Sequence, residues 1–299
     1  MRLDNMEALI GRTPAVRFTT DETPDAAIWV KLEGYNPSGS VKDRACIYNI
    51  RDATAAGDLR PGMTLLDASS GNMACALAYY GRILGHSVEV VCNSKLTSDK
   101  AAFIRYFGGD LTVFGEFTVE GNLHCREVIY RQDPEKYCFL DQLHNWANPR
   151  AHEETTGPEI LQDFPDLTAV VGSLGSGGTM LGVARHIKAR RPQTKVITVE
   201  AASGTKIPGT GAFIEGDYVT PFIKEGRDQK LFDIQHAISL DAAMKRTRQL
   251  RDQGLFCGYQ TGGVIEATIA MIREHGLSGD IVAISGDSGW KNMEKLLSI

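Results

Sequence analysis

No pair of cysteines in this chain has CxxC spacing. Cys46, Cys75, Cys92, Cys125, Cys138 and Cys257 are scattered along the sequence. That pattern excludes zinc-ribbon spacing and a thioredoxin-like redox motif, so buried, reduced thiols and no metal centre are expected. Long apolar runs are missing as well: no uncharged stretch approaches the ~20 residues that a membrane span needs. The opening Met1-Arg2-Leu3-Asp4-Asn5 lacks the apolar core of a signal peptide. Nor is either charge in large excess. With 32 Lys and Arg against 37 Asp and Glu, the net charge is −5, which argues against nucleic acid as the main partner. Internal repeats, low-complexity tracts and a compositionally distinct linker are absent. What is present is ordinary: 299 residues, 42% hydrophobic and 23% charged. Such a chain is expected to be a soluble cytoplasmic enzyme, long enough to divide into two domains.

Short apolar runs alternate with helical patterns. Strands are expected at 27–32, 64–67, 87–92, 110–114, 169–171, 195–200 and 280–284. Helices are expected at 42–56, 73–84, 98–106, 119–132, 158–163, 180–190, 240–253 and 262–274. This alternation implies an α/β fold of mostly parallel sheets covered by helices.

Three segments carry chemistry. The run Asn36-Pro37-Ser38-Gly39-Ser40-Val41-Lys42-Asp43-Arg44 places a lysine just inside a helix start, with Ser40 and Asp43 spaced as a capping box. A helix N-terminus is already positive, so a lysine there is pushed towards its neutral, nucleophilic form. Leu65-Leu66-Asp67-Ala68-Ser69-Ser70-Gly71-Asn72-Met73 reads as a strand, a small polar turn and a helix start. Val170-Val171-Gly172-Ser173-Leu174 leads into Gly175-Ser176-Gly177-Gly178-Thr179 and a further helix. A glycine-rich turn before a helix suits a phosphate, because backbone N–H groups and the positive helix end converge there without side-chain bulk. A nicotinamide-binding fold is disfavoured, since this loop does not follow the first strand and no acidic ribose partner is evident.

Together these segments resemble the cysteine synthase (O-acetylserine sulfhydrylase) family, fold type II enzymes that use pyridoxal 5'-phosphate (PLP). Gly11-Arg12-Thr13-Pro14 resembles the family's opening turn, and Lys31-Leu32-Glu33 with 36–44 its lysine segment. Asn148-Pro149-Arg150-Ala151-His152 and Thr155-Thr156-Gly157-Pro158-Glu159 resemble its middle signature, and Asp287-Ser288-Gly289 its C-terminal cofactor contact. The matches run in family order from about residue 9 to residue 290. The resemblance implies a tryptophan synthase β-like architecture: a smaller domain at 36–146 and a larger cofactor-binding domain made of 1–35 and 147–299, with the cofactor between them. It implies Lys42 as the catalytic lysine, holding PLP as an imine and then acting as general base. Gly175, Ser176, Gly177, Gly178 and Thr179 take the phosphate, Asn72 the 3'-oxygen, and Ser288 the pyridine nitrogen. Ser69, Ser70, Gly71, Asn72, Met73 and Gln142 grip the substrate carboxylate. A homodimer, small-molecule substrates and the docking of a serine acetyltransferase C-terminus also belong to the family pattern.

The implied reaction is β-replacement on a β-activated L-serine, O-acetyl-L-serine foremost, through an aminoacrylate, with sulfide giving L-cysteine. A synthase with another nucleophile, an O-phosphoserine-using enzyme, a β-eliminating ammonia lyase and a weakly active regulatory homologue are the alternatives. Several positions depart from the family. Met73 stands where threonine is usual, and Tyr259-Gln260 where Ile-Ser is usual, which is expected to alter a wall near the cofactor. Gly286 replaces a common proline. The segment 209–219 holds no arginine to pair with a phosphoserine phosphate, although Trp290-Lys291 resembles the phosphoserine-using branch.

Overall fold

The computed structural model describes residues 2–213 and 216–297. In chain order the principal elements are β1 (Ala15–Phe18), β2 (Ala26–Leu32), α1 (Lys42–Ala56), β3 (Thr64–Ala68), α2 (Asn72–Leu84), β4 (Val88–Cys92), α3 (Ser98–Tyr106) and β5 (Gly109–Val113). There follow α4 (Thr118–His124), β6 (Tyr137–Phe139), α5 (Ala147–Ala151), α6 (Gly157–Asp163), β7 (Ala169–Ser173), α7 (Gly178–Arg190) and β8 (Lys195–Ala201). The chain then forms α8 (Pro221–Asp228), β9 (Ile234–Ile238), α9 (Leu240–Asp252), α10 (Tyr259–His275), β10 (Gly279–Ser285) and α11 (Met293–Leu296).

Two compact units result, one of Met1–Val41 with Pro149–Ile299 and one of Lys42–Asn148. The first boundary falls six residues later than position 36. Asn36 to Val41 are tied into the larger unit: Gly11 N donates to Asn36 Oδ1 (2.8 Å), Ser288 N to Gly39 O (3.2 Å), and Val41 N to Gly286 O (2.9 Å). Ser40 pairs antiparallel with Asp287. Helix α1 therefore opens at Lys42 while Ser40 is engaged in backbone pairing two residues before it.

The larger unit contains a six-stranded sheet in the order β1-β2-β10-β7-β8-β9, in which β1 runs antiparallel and the other pairings are parallel. Successive side chains of a strand point to opposite faces, and two cores form accordingly. Ala169, Val171, Ile197, Val199, Ile281 and Ala283 face the side of α9 and α10. Val170, Val196, Val282 and Ile284 face the side of α6, α7 and α8. Covering both faces is why these strands read as continuous apolar runs, and each buried Val or Ile contributes roughly 1.5–3 kcal/mol. The chain winds outward from β7 through β8 to β9, then returns to lay β10 on the other side of β7. The order thus reverses between β7 and β10, and ligands of open α/β sheets bind outside the carboxyl ends of the strands at such a reversal.

The smaller unit has a four-stranded parallel sheet in the order β5-β4-β3-β6. The three-residue β6, the edge strand β1 and the polar β9 were not expected from the sequence, nor was α8, although Thr220 caps it through the Ile223 N–H. The helix expected at 119–132 is α4 followed by a wide π-turn over Cys125–Tyr130. Helix α10 starts at Tyr259, three residues earlier than its pattern suggests.

Candidate active site

In the smaller unit, a helix that precedes a parallel strand runs back along it, so its N-terminus lies level with the strand's carboxyl end. This places Lys42, first residue of α1, towards the end of β3. The Lys42 side chain is part-buried, and loss of water lowers its pKa to about 8, with the Asp67 carboxylate opposing the fall. The helix start was anticipated as the cause; the cause found is burial. Asp67, at 1% exposure, is pushed well above the usual carboxylate range by burial first and by Asp141 second. Burial therefore favours the neutral forms of both groups. Sequence reasoning had passed over Asp67, because a single acid at the end of an apolar run reads as a strand terminus.

Ser69, Ser70, Gly71, Asn72 and Met73 form the turn from β3 into α2. Ser69 Oγ accepts from Gly71 N (3.1 Å), and Ser70 Oγ accepts from Asn93 N (2.6 Å). Gly71 is the N-cap of α2, and no side chain caps that end. Met73 is buried at 1% exposure, so its thioether belongs to the packing of the unit while its backbone stays in the first turn. Gln142 meets the same turn: its Nε2 donates to Ala68 O (2.6 Å), and its backbone N lies 3.3 Å from Asp67 Oδ2. The preceding Asp141 has φ 51°, a left-handed conformation rare outside glycine. Its carboxylate is held by Asn122 Nδ2 (2.8 Å), His144 Nδ1 (2.8 Å) and Arg126. Lys42 and the substrate-loop candidates thus gather at one end of this sheet.

In the larger unit, the predicted phosphate loop follows β7 and the Asp287-Ser288 turn follows β10. These strands are neighbours, and the loops leave their carboxyl ends. Gly177 caps α7 with φ 85°, again without a side-chain cap. A Cβ on Gly177 would stand 2.5 Å from Ile223 Cγ1, so glycine is required for both torsion and space. Thr220 Oγ1 donates to Ser176 O (2.6 Å). Thr179 Oγ1 meets His152 Nε2 (3.2 Å), and His152 Nδ1 meets Thr156 Oγ1 (2.8 Å). That contact needs α7 to lie close to the π-turn at 152–156; a Cβ on Gly182 would sit 2.7 Å from Glu153 N. Ser288 Oγ accepts from Trp290 N (3.3 Å), which leaves its O–H as a donor.

Tyr259, expected to alter a wall near the cofactor, is anchored on both ring and hydroxyl. Its ring is buried in the core against α9 and α10, and its hydroxyl donates to Lys295 O (2.5 Å), anchoring α11. Gln260 is the partly exposed member of the pair. All six cysteines are buried and free of disulfides. Among the described residues no cluster of metal-ligating side chains occurs, and no helix is long and apolar enough to cross a membrane. Ile214 and Glu215, within the arginine-free segment 209–219, lie outside the described residues.

Residues 6–287 match the family described as "Pyridoxal-phosphate dependent enzyme". The chain belongs to this family. Cysteine synthase B of Pseudomonas aeruginosa is 34% identical over 269 residues, spanning 89% of this chain and 88% of that protein. Among solved structures, O-ureido-L-serine synthase superposes with TM-score 0.90 at 28% identity, over 99% of this chain and 95% of that one. An O-acetylserine dependent cystathionine beta-synthase from Helicobacter pylori gives 0.88 at 27% identity, over 99% and 98%. The chain is accordingly a PLP-dependent enzyme of fold type II and of the β-replacing, cysteine synthase-like kind.

The donor sets fit that cofactor. Taken separately, the smaller unit has the glycine-capped opening of α2 and a lysine of lowered pKa, and the larger unit has the glycine-capped opening of α7 on the sheet that carries Ser288. Such ends take phosphate or carboxylate oxygens.

Proposed function

We propose that this protein replaces the acetoxy group of O-acetyl-L-serine by sulfide, releasing acetate and forming L-cysteine. Lys42 Nζ is the covalent anchor for PLP, and the N–H groups and hydroxyls of Gly175–Thr179 receive its phosphate. Asn72 contacts the 3'-oxygen and Ser288 donates to the pyridine nitrogen. Bound PLP supplies an electron sink that loosens the α-proton and the β-leaving group of the amino acid.

Lys42 takes the α-proton at Nζ. A pKa near 8 leaves a substantial share of the amine neutral at physiological pH, which matches a general base to its task. The observation that carries the reading is the similarity to cysteine synthase B of Pseudomonas aeruginosa along 89% of the chain. Ser288 bears on the reaction class: its hydroxyl would hold the pyridine nitrogen by a hydrogen bond without giving up its proton, which would suit β-elimination rather than transamination. At the opening of α2, the N–H groups of the Ser69–Met73 turn orient the substrate carboxylate. Gln142 commits one amide hydrogen to Ala68 O and keeps the second for the same carboxylate. A homodimer in the cytoplasm goes with this reading.

A second reading, β-replacement with a different nucleophile, is favoured by one observation. Gln260 and Gly286, which depart from the family pattern, meet at the end of the larger sheet, and a structure that superposes over 99% of the chain is an O-ureido-L-serine synthase. The visible absorption of the PLP-loaded protein, recorded before and after O-acetyl-L-serine and then sulfide, separates the readings. The expected result is a band that moves to longer wavelength with the donor and is restored by sulfide with formation of cysteine. A band indifferent to O-acetyl-L-serine would exclude that donor; a shift that sulfide cannot reverse would exclude that nucleophile.

A further inference from the structure

Strands β7 and β10 pair through Ala283↔Val171 and then part, although each continues further against its other neighbour: β10 to Ser285↔Leu32 and β7 to Ser173↔Val199. The Gln260 amide occupies the fork. Its Nε2 donates to Ser173 Oγ, at the end of β7, and its Oε1 accepts from Gly286 N (2.9 Å), just past the end of β10. One side chain thus replaces the ladder where the sheet opens. The two loops proposed to hold PLP leave from these two strand ends, Gly175–Thr179 from β7 and Gly286–Ser288 from β10.

The bridge also explains the residue at 286. Proline has no N–H to donate to Oε1. A Cβ built on Gly286 would stand 2.7 Å from Gln260 Nε2 and closer still to Oε1. A residue with a Cβ can therefore be accommodated there only by driving the amide off its partners. Gly286 does not adopt a positive φ, so backbone torsion is not the reason for glycine. Gln260 and Gly286, two separate departures from the family pattern in sequence, form one unit in space.

We propose that Gln260 is a positioning residue that fixes the spacing of the phosphate-holding and pyridine-holding loops, and that Gly286 is its obligatory partner. The proposal rests on the assignment of Gly175–Thr179 and Ser288 to PLP given above. It places the chain-specific adaptation in how the cofactor is seated, without any contact between Gln260 and the substrate.

The test is a double-substitution cycle read by the dissociation constant for PLP, titrated into cofactor-stripped protein, together with the melting temperature of that stripped protein. Gln260→Ser and Gln260→Ala each remove two hydrogen bonds, and PLP binding is expected to weaken roughly 5- to 100-fold, while the stripped protein melts within a few degrees of the parent. Gly286→Ala alone should weaken PLP comparably, by displacing the amide. In the Gln260→Ser background, Gly286→Ala should add less than about a threefold further loss, because coupled sites are not additive. Gly286→Pro makes the same comparison where the alanine is too mild. Effects that multiply independently would overturn the pairing. A melting shift with unchanged PLP affinity would reduce Gln260 to a structural residue and overturn the proposal. Ser288→Ala and Gly177→Ala serve as references. If they weaken PLP and the Gln260 variants do not, the bridge alone fails; if none of them alters PLP affinity, the underlying site assignment fails.

Discussion

Helices α2 and α7 both open on a glycine with no capping side chain, yet the two glycines sit in different surroundings. Gly177 is left-handed, and Ile223 crowds the position of its absent Cβ. Its loop is held from outside by Thr220 at Ser176, His152 at Thr179 and Gln260 at Ser173. Gly71 has φ −137°, and nothing lies within 4 Å of where its Cβ would be. Its turn is held partly by itself, through Ser69 Oγ to Gly71 N. An anion that stays bound calls for a rigid, prepaid cradle, whereas one that arrives and leaves at each turnover calls for room to adjust. The braced opening suits the cofactor phosphate, and the open one suits the substrate carboxylate.

Lys42→Ala is expected to have the largest effect, since it removes the chemistry while leaving both helix openings intact. Turnover of the PLP-loaded variant should fall by about 10³-fold or more, with Gly175–Thr179, the proposed phosphate loop, still able to hold the cofactor non-covalently. Near-normal turnover would remove Lys42 from the site. The same lysine yields a pH prediction for the cofactor-stripped protein. Its folded pKa, about 8, is below its unfolded value of about 10.4. Below pH 8 both states hold the proton, and the buried ammonium is a constant cost. Between the two values the unfolded state holds more protons, so stability must rise with pH. Relative to Lys42→Met, the parent should gain up to roughly 3 kcal/mol from pH 7.5 to pH 10.5. Parallel denaturation curves for the two proteins across that range would rule out a lowered lysine pKa.

Gly177→Ala probes the braced opening directly. A left-handed alanine pressed against Ile223 should cost roughly 2–3 kcal/mol, visible as a lower melting temperature and as PLP lost on dialysis. Retention of PLP with unchanged melting would show that the α7 opening is no tighter than that of α2.

Much of this contrast was out of reach of the sequence. The strands read correctly where both faces are buried, as in β7, β8 and β10, because continuous Val-Ile runs are unambiguous there. Strands without that signature were missed: β6 has three residues, and β9 carries Gln235 and His236. The lysine and both glycine turns were legible because helix starts and glycine turns are local signals. Gly71 and Gly177 look alike in one dimension, however. What separates them is Ile223 and Thr220, more than forty residues further along, and no local pattern reports that neighbourhood. The Gln260–Gly286 bridge and the burial of Tyr259 were hidden for the same reason, each being set by a partner 26 or 36 residues away. For Met73, the departure from threonine was legible but the destination of its side chain, the packed interior, was not.

Gly71→Ala is the smallest expected effect and the sharpest check on the comparison. The torsions of Gly71 lie on the negative-φ side, and no atom stands near the added methyl, so stability should change by no more than about 0.5 kcal/mol. PLP affinity should change little, because the proposed phosphate loop, Gly175–Thr179, lies on another sheet and Asn72, proposed to reach the 3'-oxygen, keeps its side chain. Any effect belongs to the arriving amino acid: the methyl narrows the approach to the first N–H groups of α2, raising KM for O-acetyl-L-serine a few-fold at unchanged kcat, the pattern of weakened uniform binding. A lower kcat at constant KM would mean that the turn acts in the transition state. A loss of PLP comparable to that of Gly177→Ala would mean that the two openings are not divided between a resident and a visiting anion.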